Sequence, residues 1–278
     1  MNKHGSFSRS RSGNDIPSHV FLIIVSVISV FPLYYMVVSS TNTSVDVLKA
    51  RLLPGTALLE NLNTLVTTTE FLVGLRNSLA VAIVGTLFAV AVTSLAGYAF
   101  EIYHDKVKDF TMSFLMLSIM IPQAATLIPM YLLFAKMGLL NSVPGYILPF
   151  VSTAFLIMLF RQNTRSFPYE IVEAGRLDGL SELGIFVRLF FPIMRPVFAT
   201  AVIVTFMNIW NEYLWALVVM QSPDSKTLPV ILAGMTAGYT VDYGMMMLLA
   251  TISTIPLALM FFLLQKSFTA GIAGSVKS

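Results

Sequence analysis

Six long apolar segments, separated by polar connections, constrain this 278-residue chain more than any other feature. Most of them are about 20 residues long, the length that an α-helix needs to cross the hydrocarbon core of a bilayer. Only 11% of the residues are charged, whereas an average soluble domain has about 25%. We therefore predict an all-α membrane protein with six transmembrane helices. Their ranges are Val20–Val38, Leu79–Phe100, Phe110–Phe134, Tyr146–Phe160, Val197–Met220 and Met245–Leu264.

The third and fourth segments are expected to be less regular than the others. The third contains Pro122 and Pro129, and the fourth is short for a complete span. Membrane proteins tolerate interrupted helices where neighbouring helices supply partners for the released backbone groups. We therefore expect broken or shortened helices in this part of the chain.

Lysine and arginine residues indicate on which side of the membrane each connection lies. Most of the 17 precede the first segment or follow the second, fourth and sixth, and the connection at 161–196 alone carries five arginines. Positively charged connections stay in the cytoplasm, so we predict that both termini are cytoplasmic. On this prediction residues 1–19 form a cytoplasmic tail, and residues 20–278 form a six-helix transmembrane domain.

Several chemistries are excluded by what the sequence lacks. The chain has no cysteine, which excludes disulfides, thiolate metal sites and a cysteine nucleophile. It contains no G-x-x-x-x-G-K-[ST] phosphate loop, G-x-S-x-G or H-E-x-x-H motif. We therefore expect no enzyme, no metal site and no cofactor in this chain. The basic residues alternate with apolar runs instead of forming one face, so membrane lipid is the expected partner and nucleic acid is not.

The connection at 161–196 has a helical pattern of its own. Ser166 is placed to cap a helix, Pro168 suits its first turn, and Gly179 suits the left-handed residue that ends many helices. Helical spacing predicts one apolar face, formed by Ile171, Ala174 and Leu177. We expect Asp178 to cap or pair at the turn, and a second helix to run from about residue 181 to 190.

The order of residues in this connection resembles the EAA loop of permeases in ATP-driven (ABC) importers. The matching residues are Glu173, Ala174, Gly175, Asp178, Gly179, Phe186, Pro192 and Pro196. The family usually has alanine where this chain has Gly175 and Leu180. The resemblance implies the type I importer permease fold and a coupling helix that docks on a separate ATPase subunit. It assigns that coupling role to Glu173, Ala174, Gly175, Asp178 and Gly179.

Further stretches resemble the carbohydrate-uptake permeases of the maltose type. They are Asn208–Trp215 (NIWNEYLW), Thr227-Leu228-Pro229, Glu60-Asn61, Asn77-Ser78 and Gly274–Lys277. The resemblance implies a mono- or oligosaccharide substrate and a complex in the bacterial inner membrane. The implied partners are a second related permease, two ATP-binding subunits that hold ATP and magnesium, and an extracytoplasmic solute-binding protein.

Polar residues in the fifth apolar segment are the candidate substrate contacts. Amides and carboxylates can bond to sugar hydroxyls, an aromatic ring can stack on a sugar face, and ionisable groups at this depth usually face a cavity. The candidates are Asn208, Asn211, Glu212, Tyr213 and Trp215. The alternatives are that they only join helices through hydrogen bonds, or that the partner permease holds the main substrate site.

Two other functions stay open at this point. A gradient-driven secondary transporter commonly shows inverted repeats and a midplane proton relay, whereas here Glu212 is a lone candidate and no repeat is evident. An ABC permease for a non-sugar solute would share the same loop. The expected function is a permease subunit that couples ATPase closure to alternating access for a sugar.

Overall fold

The computed structural model describes residues 16–237 and 241–275, with side chains at 17–237 and 241–265. Most of the predicted tail at 1–19 and the last part of the Gly274–Lys277 stretch lie outside the described residues. Within them the structure contains helices and no strand, which confirms the all-α prediction.

The α-helices are numbered α1 to α15 in chain order. Their bounds are α1 Ile16–Ser39, α2 Ser44–Leu48, α3 Leu58–Thr68, α4 Phe71–Ile102, α5 Lys106–Ser118, α6 Gln123–Lys136, α7 Val143–Ile147, α8 Ala154–Thr164, α9 Tyr169–Leu177, α10 Glu182–Ile185, α11 Phe191–Ile193, α12 Arg195–Trp210, α13 Leu214–Val219, α14 Leu228–Gly234 and α15 Tyr243–Ser275. A 3₁₀ turn at Leu148–Phe150 follows α7, and a π-helical turn at Phe186–Phe190 joins α10 to α11.

The chain divides into two compact units, Met1–Leu62 with Asp242–Thr251 and Asn63–Val241 with Ile252–Ser278. In the first unit the buried amide of Asn61 donates hydrogen bonds to the carbonyls of Ser40 (2.9 Å) and Asn42 (3.0 Å). Gly244 packs against the same place, since a Cβ there would lie 2.5 Å from the Asn42 carbonyl oxygen. Asn61 therefore fixes the chain that leaves α1.

In the second unit, α8 and α12 pack on the long helix α4. Gly97 permits the close approach of α8, because a Cβ at this position would lie 2.5 Å from Cβ of Phe160 and 2.8 Å from the backbone nitrogen of Arg161. Small residues at helix contacts allow backbones to approach closely in membrane proteins. The middle of the bundle is therefore fixed by backbone proximity.

The beginning of α4 holds the segment between α13 and α14. The amide of Asn77 donates to the carbonyls of Asp224 (2.8 Å) and Lys226 (3.1 Å), and the hydroxyl of Ser78 accepts the N–H of Leu228 (2.8 Å). Two stretches singled out in the sequence, Asn77-Ser78 and Thr227-Leu228-Pro229, thus bind each other.

Three of the described helices are long and apolar enough to cross a membrane, namely α1, α4 and α15. Three bent pairs pass the same test together, and counting each as one span gives up to six. The bends are 100° between α5 and α6, 48° between Val143–Phe150 and α8, and 85° between Glu182–Ile193 and α12. The expected interruptions in the third and fourth segments are confirmed.

The fifth predicted segment, Val197–Met220, is wrong as a continuous helix. Helix α12 ends at Trp210, and α13 begins at Leu214. The carboxylate of Glu212 accepts the backbone N–H of Trp215 at 2.8 Å. Glu212 thus gives a partner to one of the backbone N–H groups that the first turn of α13 leaves without an intrahelical bond.

Candidate functional site

Helix α9 begins after Pro168 and ends in a left-handed turn at Gly179, where φ is +79°. The N–H of Leu180 bonds to the carbonyl of Gly175 (2.9 Å), and the N–H of Gly179 bonds to that of Arg176 (3.0 Å). These two bonds form the Schellman motif, which commonly places glycine at this position. A Cβ at Gly179 would meet open space, so the backbone conformation, and not packing, favours glycine here.

The start of α9 differs from the prediction. The hydroxyl of Ser166 donates to the carbonyl of Asn163 (2.7 Å) and does not cap the helix. Pro168 occupies the cap position without a side-chain hydrogen bond. Ser166 therefore belongs to the end of α8, because its hydroxyl reaches the carbonyl three residues earlier.

The buried face of α9 is also not the predicted one. Val172 and Gly175 are buried, Ala174 is exposed and Leu177 is 89% exposed. The apolar residues of so short a helix can be assigned to more than one face. The segment of the same chain that packs against the helix decides which face is covered. Of the predicted face, only Ile171 packs in part against the core.

Gly175 brings the second helical stretch against α9. A Cβ at this position would lie 2.9 Å from Cδ1 of Leu189 and 3.0 Å from Cγ1 of Ile185. Because Gly175 has no side chain, there is room for these two residues beside α9. The hydroxyl of Ser181 begins the second stretch by accepting the N–H of Gly184 at 3.2 Å.

An aromatic cluster connects α9 to the bundle, and its members are Tyr98, Phe167, Phe186, Phe190 and Phe198. The ring of Phe190 lies 4.8 Å from that of Tyr98, 5.2 Å from that of Phe167 and 5.3 Å from that of Phe186. These residues come from α4, the start of the loop, the π-helical turn and α12. Val172 of α9 is buried in the same core, so α9 is packed on α4 and α12 through these rings.

Arg176 ties α9 to α10 and to the end of α4. Its Nε donates to the carboxylate of Glu182 (2.8 Å) and its Nη1 donates to the hydroxyl of Tyr169 (3.1 Å), while Tyr103 donates to the same carboxylate. The guanidinium lies 5.9 Å from the centres of both tyrosine rings. The hydrogen bonds with Glu182 and then Tyr169 raise the pKa of Arg176 above its usual range.

A second group of charges joins α4, α5 and α8, and we call it the Arg161 cluster: Glu101, His104, Asp109, Arg161 and Arg165. Arg161 is 4% exposed; its Nε donates to Glu101 at 3.1 Å, and its Nη2 donates to Asp109. Arg165 pairs with the other oxygen of Glu101 at 3.3 Å, and His104 contacts Asp109 at 2.9 Å. The cluster fixes the end of α8, which leads directly into the loop that carries α9.

The five candidate coupling residues fall on both sides of α9. Glu173, Ala174, Asp178 and Gly179 are exposed, and Gly175 is buried. Of the two roles expected for Asp178, the structure shows the cap position and not the pair: it is the C-cap of α9, and no ion pair joins its carboxylate to a described residue.

The break after α12 is the second candidate site. The same oxygen of Glu212 that accepts the N–H of Trp215 also accepts Nε2 of Gln123 at 3.1 Å, so the α5–α6 break meets the α12–α13 break. The hydroxyl of Tyr146 donates to the carbonyl of Ile209 (2.9 Å), and the indole N–H of Trp215 donates to the carbonyl of Tyr146 (3.1 Å). The released backbone groups thus gain partners, as helix interruptions in membranes require.

The predicted path residues differ in what they line or contact. Asn208 lines a cavity of about 390 Å³, and Trp215 lines a neighbouring cavity of about 210 Å³. Asn211 is exposed and donates to the carbonyl of Met207 on its own helix (2.9 Å). Tyr213 is 37% exposed and lies between the two helices. Glu212 joins the breaks, as described above.

A family model described as the binding-protein-dependent transport system inner membrane component matches residues 89–274. The match includes α9, the aromatic cluster and both helix breaks. The chain belongs to this family. It is a permease component of a transport system in the inner membrane, and the prediction of an importer permease is confirmed.

Curated relatives match this permease over nearly its whole length. The lactose transport system permease protein LacG of Rhizobium radiobacter is 36% identical over 95% of this chain and 96% of its own. The arabinooligosaccharides transport system permease protein AraQ of Halalkalibacterium halodurans is 30% identical over 91% and 93%. The sn-glycerol-3-phosphate transport system permease protein UgpE of Escherichia coli O1:K1 is 29% identical over 94% and 96%.

A solved structure has the same fold. It is the crystal structure of a bacterial ABC transporter involved in the import of the acidic polysaccharide alginate, and it superposes with a TM-score of 0.79 at 22% identity. The match covers 95% of this chain and 100% of that one. It confirms the fold of an ABC importer permease.

Gln123 and the partners of Arg161 were not found by sequence reasoning. Gln123 directly follows Pro122, so the break at that proline was a usable signal. Glu101 and Asp109 lie 60 and 52 residues before Arg161, and no local pattern marks such a pairing.

Proposed function

We propose that this permease is one of two related membrane subunits of an ATP-driven importer for a mono- or oligosaccharide. The observation that carries the proposal is α9: a short helix anchored by its inner face on the aromatic cluster while its outer face exposes apolar side chains. Relatives named for lactose and arabinooligosaccharide transport support the sugar.

The outer face of α9 is suited to protein contact. Leu177 is 89% exposed, Leu183 in α10 is 63% exposed, and Glu173 and Ala174 are exposed as well. Apolar side chains surrounded by charged ones are typical of protein interfaces. We assign this face to docking of the ATPase, with Glu173, Ala174, Asp178 and Gly179 in the contact and Gly175 behind it.

The proposed energy supply lies in that partner. The sequence has no phosphate loop, so ATP and magnesium would bind to two ATPase subunits. Closure of these subunits would move α9, and the aromatic cluster would pass the displacement to α4 and α12. A solute-binding protein would deliver the sugar on the opposite side.

The proposed topology counts each bent helix pair as one span. It then has six spans, with both termini and the loop at 161–196 in the cytoplasm, a tail at 1–19 and the permease domain at 20–278. The distribution of lysine and arginine supports this orientation. The cavities at the helix breaks would then form part of the sugar path, with Asn208, Asn211, Glu212, Tyr213 and Trp215 beside it.

A second candidate substrate is an anionic non-sugar solute, because a relative at 29% identity is named for sn-glycerol-3-phosphate transport. A gradient-driven carrier is the other alternative from the sequence, and no comparison favours it.

The test is recovery of the chain from native membranes in mild detergent, with co-purifying proteins identified by mass spectrometry. We expect an ATPase and a second permease. Recovery of the chain alone, in a preparation shown to preserve a known importer complex, would contradict the proposal. A matched sample with Leu177→Glu, which places a charge on the proposed docking face, should lose the ATPase and keep the second permease.

A further inference from the structure

Two neighbouring cavities at the helix breaks share lining residues. The smaller one, about 210 Å³, includes Gln123 and Trp215 in its wall, and the larger one, about 390 Å³, includes Asn208. Phe150 and Thr153 line both. Among the described residues that line the two cavities, none is a lysine, arginine, aspartate or glutamate. The walls offer neutral hydrogen-bonding groups and the aromatic rings of Phe150, Phe155 and Trp215.

One of these neutral groups has no partner. Thr205 lines the larger cavity, is 4% exposed, and its hydroxyl forms no hydrogen bond with any described residue. A buried hydroxyl without a partner is unfavourable, and it can both donate and accept. The Thr205 oxygen is fully buried, so a solute would reach it only after the side chain moved.

The carboxylate of Glu212 lies directly behind the wall of the smaller cavity, bonded to two of its lining residues. Its two hydrogen-bond donors, the amide of Gln123 and the N–H of Trp215, are uncharged and themselves belong to residues that line this cavity. No described residue forms an ion pair with Glu212. Gln123 is the first residue of the 14-residue helix α6, whose N-terminus carries only about half a positive charge. The helix dipole therefore offsets only part of the charge of a carboxylate at this position.

We propose that Glu212 selects by charge, and that the substrate of this permease is an uncharged saccharide that lacks phosphate and carboxylate groups. This inference rests on the proposed function, which places the two cavities on the sugar path. It distinguishes between the solutes for which two relatives are named, since lactose is neutral whereas sn-glycerol 3-phosphate is an anion. An anion that enters the smaller cavity would be repelled by Glu212, whereas the hydroxyls of a neutral sugar would meet Gln123 and Thr153.

The natural absence of cysteine permits a direct measurement of the local charge. Thr153→Cys places one thiol in the wall shared by both cavities. Thr153 makes no side-chain cap bond, so the exchange removes no capping interaction. The complete complex in membranes is treated with anionic sulfonatoethyl and cationic trimethylammonioethyl methanethiosulfonate, and labelling of this chain is followed after separation by electrophoresis. The ratio of the two rates is compared with that of a free thiol.

The expected result is a cation-to-anion rate ratio above that of the free thiol. Glu212→Gln should lower this ratio about tenfold, as expected for loss of one unit charge several ångströms away at an intermediate dielectric. An unchanged ratio, or a faster anion with Glu212 present, would overturn the proposal. Failure of both reagents to reach Thr153→Cys would also overturn it, because the cavity would not be an aqueous path.

A second variant keeps the charge measurable if Glu212→Gln prevents assembly of the complex. Gln123→Lys adds a positive charge beside the carboxylate and should lower the ratio in the same direction. Thr236→Cys, an exposed position that lines neither cavity, is the matched control whose ratio should not respond to either change.

Uptake separates this inference from the proposed function. Proteoliposomes with the complete importer and its binding protein are offered labelled lactose, arabinotriose and sn-glycerol 3-phosphate. Uptake of sn-glycerol 3-phosphate ahead of both neutral sugars would overturn the neutral substrate even if labelling behaves as expected. Uptake that does not require ATP would contradict the proposed function and leave the labelling result standing.

Discussion

Gly179 lies on the proposed ATPase-docking face in a backbone conformation that side chains rarely adopt (φ +79°), with open space where a Cβ would point. Replacement should therefore strain the turn by about 1–2 kcal/mol without a steric clash. We expect Gly179→Asp to abolish uptake while the chain stays inserted, because it adds both this strain and a charge at the interface. Uptake assays and membrane fractionation measure the two effects.

The matched control is Gly179→Asn, which has the same shape and no charge. Asparagine and aspartate tolerate the left-handed region to a similar degree, so the two variants differ in charge and part of the uptake should remain with asparagine. Equal loss in both variants would assign the effect to the backbone alone. Normal uptake by Gly179→Asp would remove the residue from the coupling element.

Asn211 offers a test of the path at little structural risk. Its side chain is exposed and bonds to the carbonyl four residues earlier on its own helix. We expect Asn211→Ala to lower the uptake rate with an unchanged yield of purified complex. Asn163→Ala removes the same kind of bond on α8, to the carbonyl of Leu159, and should leave uptake as it is. Unchanged uptake in Asn211→Ala would exclude this side chain from the path.

At the scale of helices, the Arg161 cluster joins the ends of α4, α5 and α8. Arg161 is the buried member of two of these ion pairs, and without it Glu101 and Asp109 would keep only the exposed side chains of Arg165 and His104 as partners. Arg161→Gln should therefore strongly lower the thermal unfolding midpoint of the purified complex. The reason is that Glu101 and Asp109 would lose a guanidinium that is only 4% exposed.

Arg165→Gln is the internal control for that experiment. It removes an arginine that pairs with the same Glu101, but its side chain is 60% exposed. Exposed ion pairs contribute at most about 1 kcal/mol, so its midpoint should change little. Equal destabilisation by the two variants would show that burial does not set the strength of this cluster.

The helix breaks differ in how far the sequence predicts them. Pro122 marks the α5–α6 break because proline has no N–H to continue the ladder. The α12–α13 break follows no proline, and there the carboxylate of Glu212 binds the N–H of Trp215. A glutamate within an apolar run indicates a functional position, but its choice of a backbone partner depends on the folded chain.

For the whole molecule, apolar length predicts the all-α fold, and the residues of the 161–196 connection predict the family. The sequence did not predict which face of α9 is buried, since Gly175 is covered only because Ile185 and Leu189 pack against it. It also did not predict the meeting of Gln123 and Glu212, which are 89 residues apart. Local chemistry sets the elements, and distant partners set the faces.

At the scale of the whole molecule, the proposed coupling is one continuous mechanical connection. Helix α9 would receive the movement of the ATPase, the aromatic cluster would pass it to α4 and α12, and α12 ends at the break that borders the two cavities. Substrate access at the cavities would thus depend on the state of the ATPase.

The most direct test of this claim is sugar uptake by proteoliposomes that contain the complete complex. The binding protein and labelled sugar are supplied on the side of the membrane opposite α9, and ATP is supplied on the side of α9. The account predicts uptake that requires hydrolysable ATP and persists when ionophores abolish ion gradients. Uptake driven by an ion gradient in the absence of ATP, by this chain without an ATPase, would contradict it.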